Sequence, residues 1–415
     1  MRISVPYFGR ELELEVPEGN LLAVAEPNEA RGGAVSPGEL IRAAVTSPLD
    51  APPLPEFLRS SERLLVIVND GTRPTPSSTI LDSMGDELEA AGARFLVATG
   101  AHRAPTEDEY RRILGASYDR FRNRIEAHNA RDRASLVDLG HTRNGTPILL
   151  NRAILEADRI VITGSVEPHY FAGYTGGRKA FLPGVAGIET IEANHRLALD
   201  PRARALALDD NPVSQDMDDA LALLPARVFS IMTVLDKDQG IAGCFAGDIR
   251  SSFREAVRKA NSIFAVRLPS AADIVVSIAR NPMDIDLYQS QKAIDNGALA
   301  LADGGVLILV ASCREGVGDK AYMELLGSSS GPADALERIQ AGYRLGYHKA
   351  AKIAQVAARA SIRAISELPE ATLRKAFIAK RDSLQLAFDE ALAEKGSRAR
   401  VLVLLDGTVT VPLID

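Results

Sequence analysis

The sequence predicts an α/β protein of two domains, each with a mainly parallel sheet flanked by helices. Three observations point there. The chain has 415 residues, more than one domain usually holds. Short apolar runs rich in β-branched residues alternate with amphipathic stretches from residue 63 onward, at 64–68 (LLVIV), 94–98 (RFLVA) and 159–163 (RIVIT). A second set begins at 272–278 (ADIVVSI) and continues at 305–310 (GVLILV). Strand–loop–helix alternation makes crossover connections, which place helices on both faces of a parallel sheet.

Taken in order, the N-terminal MRISVPYFGRELELEVP alternates like an edge hairpin and has no signal-peptide core. The strand at 64–68 leads through a polar loop into a helix over 79–91. That at 94–98 leads into a helix around 107–114, where Thr106 and Glu109 have the spacing of a capping box. The strand at 159–163 opens a long glycine-rich loop that ends in a short helix over 188–194. Ala-rich helical stretches run from 333 to 394. Residues 400–413 read as a final strand pair about an Asp406-Gly407 turn, a geometry that can return to either domain. We place an N-terminal domain at 1–268, a C-terminal domain closing over the substrate at 269–399, and terminal strands at 400–415 returning to the N-terminal domain. The active site is expected in the cleft between the domains.

Bulk properties narrow the function. Hydrophobic content of 46% and charged content of 25% describe an ordinary globular protein, and a net charge of −7 provides no basic field for nucleic acid. No apolar run approaches the roughly 18 to 20 residues that cross a membrane. The two cysteines, Cys244 and Cys313, form no CxxC pair and suit a reducing cytosol, so a cytoplasmic enzyme of small molecules is expected.

Three loops leave the carboxyl ends of predicted strands, where ligands bind in open α/β sheets. The first is Asn69-Asp70-Gly71-Thr72-Arg73-Pro74-Thr75-Pro76. Arg73 suits a carboxylate or phosphate through its bidentate fork, and Asp70 suits a ribose or ring hydroxyl. An Asx turn at Asp70 beside a solvated Arg73 is the plainer alternative. The second loop, 99–106 (TGAHRAPT), carries His102, which alone would serve equally as a helix-capping histidine; its place beside two other polar loops favours a site.

The third loop, from Gly164 to Leu197, holds two of the six histidines, His169 and His195, around Lys179. A lysine between Gly176-Gly177 and Ala180-Phe181-Leu182 is either a partly buried nucleophile or covalent anchor, or a point charge for phosphate. His195 as a neutral imidazole suits nickel, zinc or copper. No HExxH, CxxC or His pair four apart is present, so a metal held by protein side chains alone has no motif behind it. GxGxxG after the first strand and GxxxxGKS are likewise absent. In the second half, Tyr288 and Lys292 share one face of a helix that opens after 281–286, a fitting pair for a carboxylate.

Together these blocks resemble the lactate racemase family: DGTRPTP at 70–76, TGAHRAPT at 99–106, EPHYFAGYTGGRKAFLPGV at 167–185, NH at 194–195 and LYQSQK at 287–292. The order and spacing match over most of the chain. The resemblance implies a nickel-pincer nucleotide, a pyridinium mononucleotide whose ring carbon and two sulfur-bearing arms grip nickel. Lys179 would be joined to one arm and His195 would ligate the nickel. Asp70, Thr72, Gly176 and Gly177 would bind the cofactor. His102 and His169 would be the two acid–base histidines, and Arg73, Tyr288, Gln289 and Lys292 would hold the substrate. The implied activity is racemisation or epimerisation of a 2-hydroxy acid, lactate-like or a sugar acid, with cofactor-synthesis enzymes as partners. Two other classes compete with it. One is a non-catalytic binder or carrier of the cofactor; the other is a hydro-lyase or dehydrogenase-like enzyme using the same histidines without nickel.

Overall fold

The structure, a computed structural model, describes residues 1–30, 35–59 and 61–415. The chain divides into two compact units, one of residues 29–263 and one formed by residues 1–28 together with 264–415.

The 29–263 unit is built on a six-stranded sheet in the order Ile241–Asp248, Arg227–Leu235, Arg159–Ser165, Leu64–Asn69, Arg94–Ala98, Ile125–Ala127. Every neighbouring pair is parallel except the first, which is antiparallel. The run Leu64–Asn69 reads as apolar at successive positions because a central parallel strand is covered on both faces, and Leu64 through Val68 are all buried. Ile67 is held in register with Ile162 on one side and Leu96 on the other. One face packs Val66, Val68, Phe95, Val161 and Phe229 against Ile41, Phe57, Leu88 and Leu114 from the surrounding helices.

The helix Glu107–Leu114 starts at the expected capping box: Glu109 N–H donates to Thr106 Oγ1 at 3.4 Å, and Thr106 N–H to Glu109 Oε2 at 2.7 Å. The helix expected over 79–91 is instead two short pieces, Ser77–Asp82 and Gly85–Ala90. Ser83 Oγ donates back to the Thr79 carbonyl, and Ser83 and Met84 N–H close tight bonds three residues back, which ends the first piece.

The other unit has a wholly parallel sheet in the order Ile378–Lys380, Ser361–Ile365, Leu301–Val310, Ala272–Ile278, Val401–Leu404, Leu21–Ala25. Two sequence expectations differ from it. Residues 1–28, assigned above to the N-terminal domain, belong here. Their antiparallel hairpin, Arg2–Tyr7 with Arg10–Glu15, buries Ile3, Val5 and Leu14 in the same core as Val276, Ile308, Phe388 and Val403. Residues 400–415 neither form a hairpin nor return to the first unit. Val401–Leu404 is buried at all four positions and lies between two parallel partners, while Val411–Ile414 pairs in parallel with Ala265–Leu268. A strand with no polar face must be covered on both sides, which a terminal hairpin does not provide. The Ala-rich region after 333 also contains two strands, Ser361–Ile365 and Ile378–Lys380, where Ile362 and Ile378 enter the sheet.

This topology fixes where chemistry can gather. Strands Arg159–Ser165, Leu64–Asn69 and Arg94–Ala98 are consecutive neighbours, so the three polar loops leave their carboxyl ends side by side. Among the described residues no helix is long and apolar enough to cross a membrane.

Candidate active site

Asp70 and His102 come from the first two of these loops. Asp70 Oδ2 lies 2.7 Å from His102 Nδ1, while its Oδ1 accepts from Thr72 N–H at 3.2 Å and Thr72 Oγ1 at 2.6 Å. The Asx turn is therefore present, and the same carboxylate also reaches a histidine. Burial raises the Asp70 pKa, but the hydrogen bonds from His102 and Thr72 outweigh it and leave the group below the usual carboxylate value. The Asp70 side chain is 8% exposed and that of His102 is 55% exposed, so the carboxylate is the fixed partner and the imidazole edge faces outward. With Nδ1–H donated to a carboxylate, Nε2 of the neutral ring is the free base. Thr75 Oγ1 shares a 3.0 Å hydrogen bond with Ser165 Oγ and joins the first loop to the third, and Gly100 N–H donates to Gly184 O at 2.9 Å to join the second to it.

The third loop is anchored from beneath. Thr175 Oγ1 donates to Ser165 O at 2.8 Å, and Thr175 N–H to Glu167 O at 2.9 Å. Arg178 is buried, with Nη1 on Asp218 at 2.7 Å, Nη2 on Ser214 Oγ at 3.2 Å, and its guanidinium 4.8 Å from the Phe253 ring centre. Asn211 caps the helix Pro212–Ala222 through Oδ1 and donates from Nδ2 to Phe171 O at 2.8 Å. Gly176 and Gly177 both have positive φ, 78° and 53°. A Cβ on Gly176 would fall 2.7 Å from Val166 Cγ2 and 2.9 Å from Ser165 O, and one on Gly177 would fall 2.7 Å from Phe253 Cδ2. The glycine pair is required for close packing against the strand ends.

On this frame sit Lys179, His169 and His195. Lys179 is partly buried, and its Nζ lies 5.8 Å from the centre of the Phe171 ring. The His195 ring meets the same Phe171 edge-on at 5.1 Å, and the His169 ring does so at 4.6 Å. One aromatic side chain thus collects all three groups. Burial pushes the Lys179 ammonium well below its ordinary pKa, with Arg73 and Arg178 acting in the same direction and Glu167 opposing. Burial likewise pushes His195 down to about 3, reinforced by Lys179 and Arg73. Arg73, from the first loop, therefore acts electrostatically on both. His169 Nδ1 accepts from Ala172 N–H at 3.3 Å, which leaves the ring proton on Nε2.

Asp70, Arg73, His102, His169, Lys179 and His195 all belong to the 29–263 unit. Tyr288, Gln289 and Lys292 are in the other, on the first turns of the helix Leu287–Leu299, which Asp286 caps by accepting from Gln289 N–H at 2.7 Å. Sequence reasoning missed the pairing of Asp70 with His102. The available signal was that both follow the carboxyl ends of strands that became neighbours. His128, which no motif singled out, is buried with Nε2 on Ala186 O at 2.9 Å and supports the third loop from below.

No three His, Cys, Asp or Glu side chains converge as a metal site among the described residues. A metal here would take one imidazole from the chain and its other donors from a bound group. A neutral His195 beside a lysine amine with its charge suppressed is a donor set that fits such a group.

Comparison with known proteins agrees with this layout. A family model described as the lactate racemase N-terminal domain matches residues 7–206, and one described as the lactate racemase C-terminal domain matches residues 268–411. A protein of Lactiplantibacillus plantarum named lactate racemase is 31% identical, with 98% of each chain covered. One of the same name from Thermoanaerobacterium thermosaccharolyticum is 29% identical, with 81% of this chain and 80% of the relative covered. A solved structure of the lactate racemase apoprotein from that organism superposes with a TM-score of 0.92 over 100% of both chains, at 25% identity. A Thermotoga maritima protein shares the fold at a TM-score of 0.68. On these matches the chain belongs to the lactate racemase family and is an enzyme of the isomerase class.

Proposed function

We propose that the protein is a nickel-pincer nucleotide-dependent racemase or epimerase of a 2-hydroxy acid. Lactate, named for its relatives, is the first substrate to test. The observation that carries the reading is Lys179: a partly buried amine with its positive charge suppressed, gathered with His195 and His169 around Phe171. An uncharged amine is what a covalent attachment requires, and a neutral imidazole is what a metal requires. Lys179 and His195 would hold the cofactor, with Gly176, Gly177 and Thr72 shaping the backbone beside it. When bound, the cofactor supplies a reversible acceptor for hydride, since the C–H bond of a 2-hydroxy acid is too weakly acidic for a histidine to break alone.

The chain's own groups move the protons and hold the acid. His102 takes the hydroxyl proton at Nε2 while Asp70 orients its ring and steadies the imidazolium through Nδ1–H. His169 serves the hydroxyl of the opposite enantiomer. Arg73, Tyr288, Gln289 and Lys292 hold the carboxylate so that the central carbon can present either face. The free thiols of Cys244 and Cys313 suit a reducing cytoplasm.

The test is to make the protein alongside cofactor-synthesis enzymes, measure intact mass and nickel, and follow loss of optical activity across 2-hydroxy acids. An adduct on Lys179 with about one nickel and racemisation is the expected result. Adduct and nickel without racemisation would make the chain a carrier; racemisation by unloaded protein would make it a nickel-independent enzyme. His102→Ala and His169→Ala are each expected to abolish turnover while keeping the adduct, and a wild-type rate in either sinks the two-base assignment.

A further inference from the structure

The face that carries Tyr288 and Lys292 is supported by a buried charge that the proposed reaction does not use. Tyr288, Gln291, Lys292 and Asp295 are spaced to share one side of the helix Leu287–Leu299. Leu287 and Tyr288 donate their N–H groups to Gly316 O at 3.1 Å and Val317 O at 3.2 Å. The helix Tyr347–Ala357 packs against this face and places Lys349, 3% exposed, under Tyr288. Lys349 Nζ donates to the Tyr288 carbonyl and lies 4.0 Å from the centre of the Tyr288 ring. Gln291 Nε2 donates to Lys349 O at 2.9 Å, which ties the two helices together.

The charges around Lys349 are unevenly matched. Asp295 and Asp286 act on it as opposite charges and Lys292 as a like charge; Asp295 in turn faces Lys352 as well as Lys349. Asp295 Oδ2 is shut off from solvent and accepts no hydrogen bond among the described residues. Burial alone pushes the Lys349 ammonium down and the Asp295 carboxyl up, and each is drawn partly back by the other. A methionine would fill this space without any such cost, so a lysine retained here does something an apolar side chain does not. It is too deeply placed to touch a ligand itself.

We propose that Lys349 is a positioning residue for the substrate carboxylate. It pins the Tyr288 backbone and ring from beneath and sets a fixed positive charge behind Lys292, with Asp295 as its counterion. The proposal rests on Tyr288, Gln289 and Lys292 being the carboxylate-binding residues.

The test uses the full chain, with Lys349→Met and Lys349→Arg compared in cofactor-loaded and unloaded protein. With lactate, Lys349→Met is expected to raise KM roughly tenfold while kcat stays within about threefold, the pattern of lost ground-state binding. Lactate binding to unloaded chain, followed by NMR titration, should weaken by a similar factor. Lys349→Arg should recover most of both, and the Lys179 adduct and nickel content should be unchanged. Should Lys349→Met fold poorly, Asp295→Asn gives the second reading. Without its counterion Lys349 gives up its proton more easily, so KM should climb more steeply with rising pH than in the wild type. Unchanged KM and binding in Lys349→Met, a loss confined to kcat, no recovery with arginine, or an unaltered pH response in Asp295→Asn would each overturn the proposal. If loaded wild type fails to racemise yet unloaded chain binds lactate and Lys349→Met weakens it, the racemase reading falls and this one stands. A wild-type chain that binds no lactate overturns the positioning role.

Discussion

Asp70 Oδ2 lies 2.7 Å from His102 Nδ1, across the ends of the adjacent strands Leu64–Asn69 and Arg94–Ala98. The carboxylate is fixed by Thr72 and the imidazole is mostly exposed, so Asp70 dictates which ring nitrogen faces the substrate. Asp70→Asn keeps the size and removes that dictation. We expect turnover to fall on the order of a hundredfold or more, with the Lys179 adduct intact. The stability effect has a definite sign. A carboxylate with a lowered folded-state pKa stabilises above its unfolded value of about 3.9 and loses that contribution as pH falls through the folded value. Acid titration of unfolding should therefore be shallower in Asp70→Asn than in wild type below about pH 4. An equal slope would show that the pair is not formed in solution.

Lys179 predicts a trade between function and stability. Its folded-state pKa is depressed, so the unfolded chain binds the proton more readily and protonation favours unfolding. Lys179→Met should abolish the adduct yet stabilise the unloaded protein at neutral pH by about 1 kcal/mol or more, since one pKa unit corresponds to about 1.4 kcal/mol. The gain should shrink as pH rises toward about 10, where the unfolded lysine also becomes neutral. Chemical denaturation across that range is the check, and a destabilised Lys179→Met would refute the suppressed charge.

For His195 the expected readout is metal retention. Its pKa of about 3 keeps the imidazole neutral far below the usual histidine range. Nickel in loaded protein should hold steady from about pH 8 to about pH 5, whereas an ordinary histidine ligand would begin to lose it near 6.5. His195→Ala should lose nickel and retain the adduct mass. Loss of nickel from the wild type with a midpoint near 6.5 would contradict the burial argument.

Gly176→Ala tests the packing of the loop independently of chemistry. The new methyl would meet Val166 and Ser165 at a backbone φ of 78°. Strain and overpacking together should cost roughly 2 to 4 kcal/mol in unfolding free energy. An alanine variant of wild-type stability would mean that the loop does not press on the strand ends as described.

Much of the first unit was legible because its local signals agree. The strands at 64–68 and 94–98, the capping box at Thr106 and Glu109, and the short helix before His195 all lie where apolar runs and caps place them. Pairings distant in sequence were not legible. Nothing local says that Leu21–Ala25 pairs with Val401–Leu404, or that Asp70 turns toward His102, because neither partner's composition encodes the other. The Asp-Gly-Thr turn shows the difficulty: Asp406 Oδ1 accepts from Thr408 N–H at 3.2 Å and from its Oγ1 at 2.6 Å, matching the bonds from Thr72 to Asp70. The same turn read from sequence as a hairpin tip, although at both places it simply ends a parallel strand.

The pairing of Leu21–Ala25 with Val401–Leu404 has a consequence for how the chain is made. The first strand to leave a ribosome adds its hydrogen bonds to one of the last, and residues 29–263 are complete before that partner exists. Until then the N-terminal hairpin and the Leu21–Ala25 edge have no sheet to join, and their apolar faces wait in water. The inserted unit can mature first, while the outer one closes only when translation has almost ended. Loss of a few C-terminal residues would thus leave the N-terminus without its place.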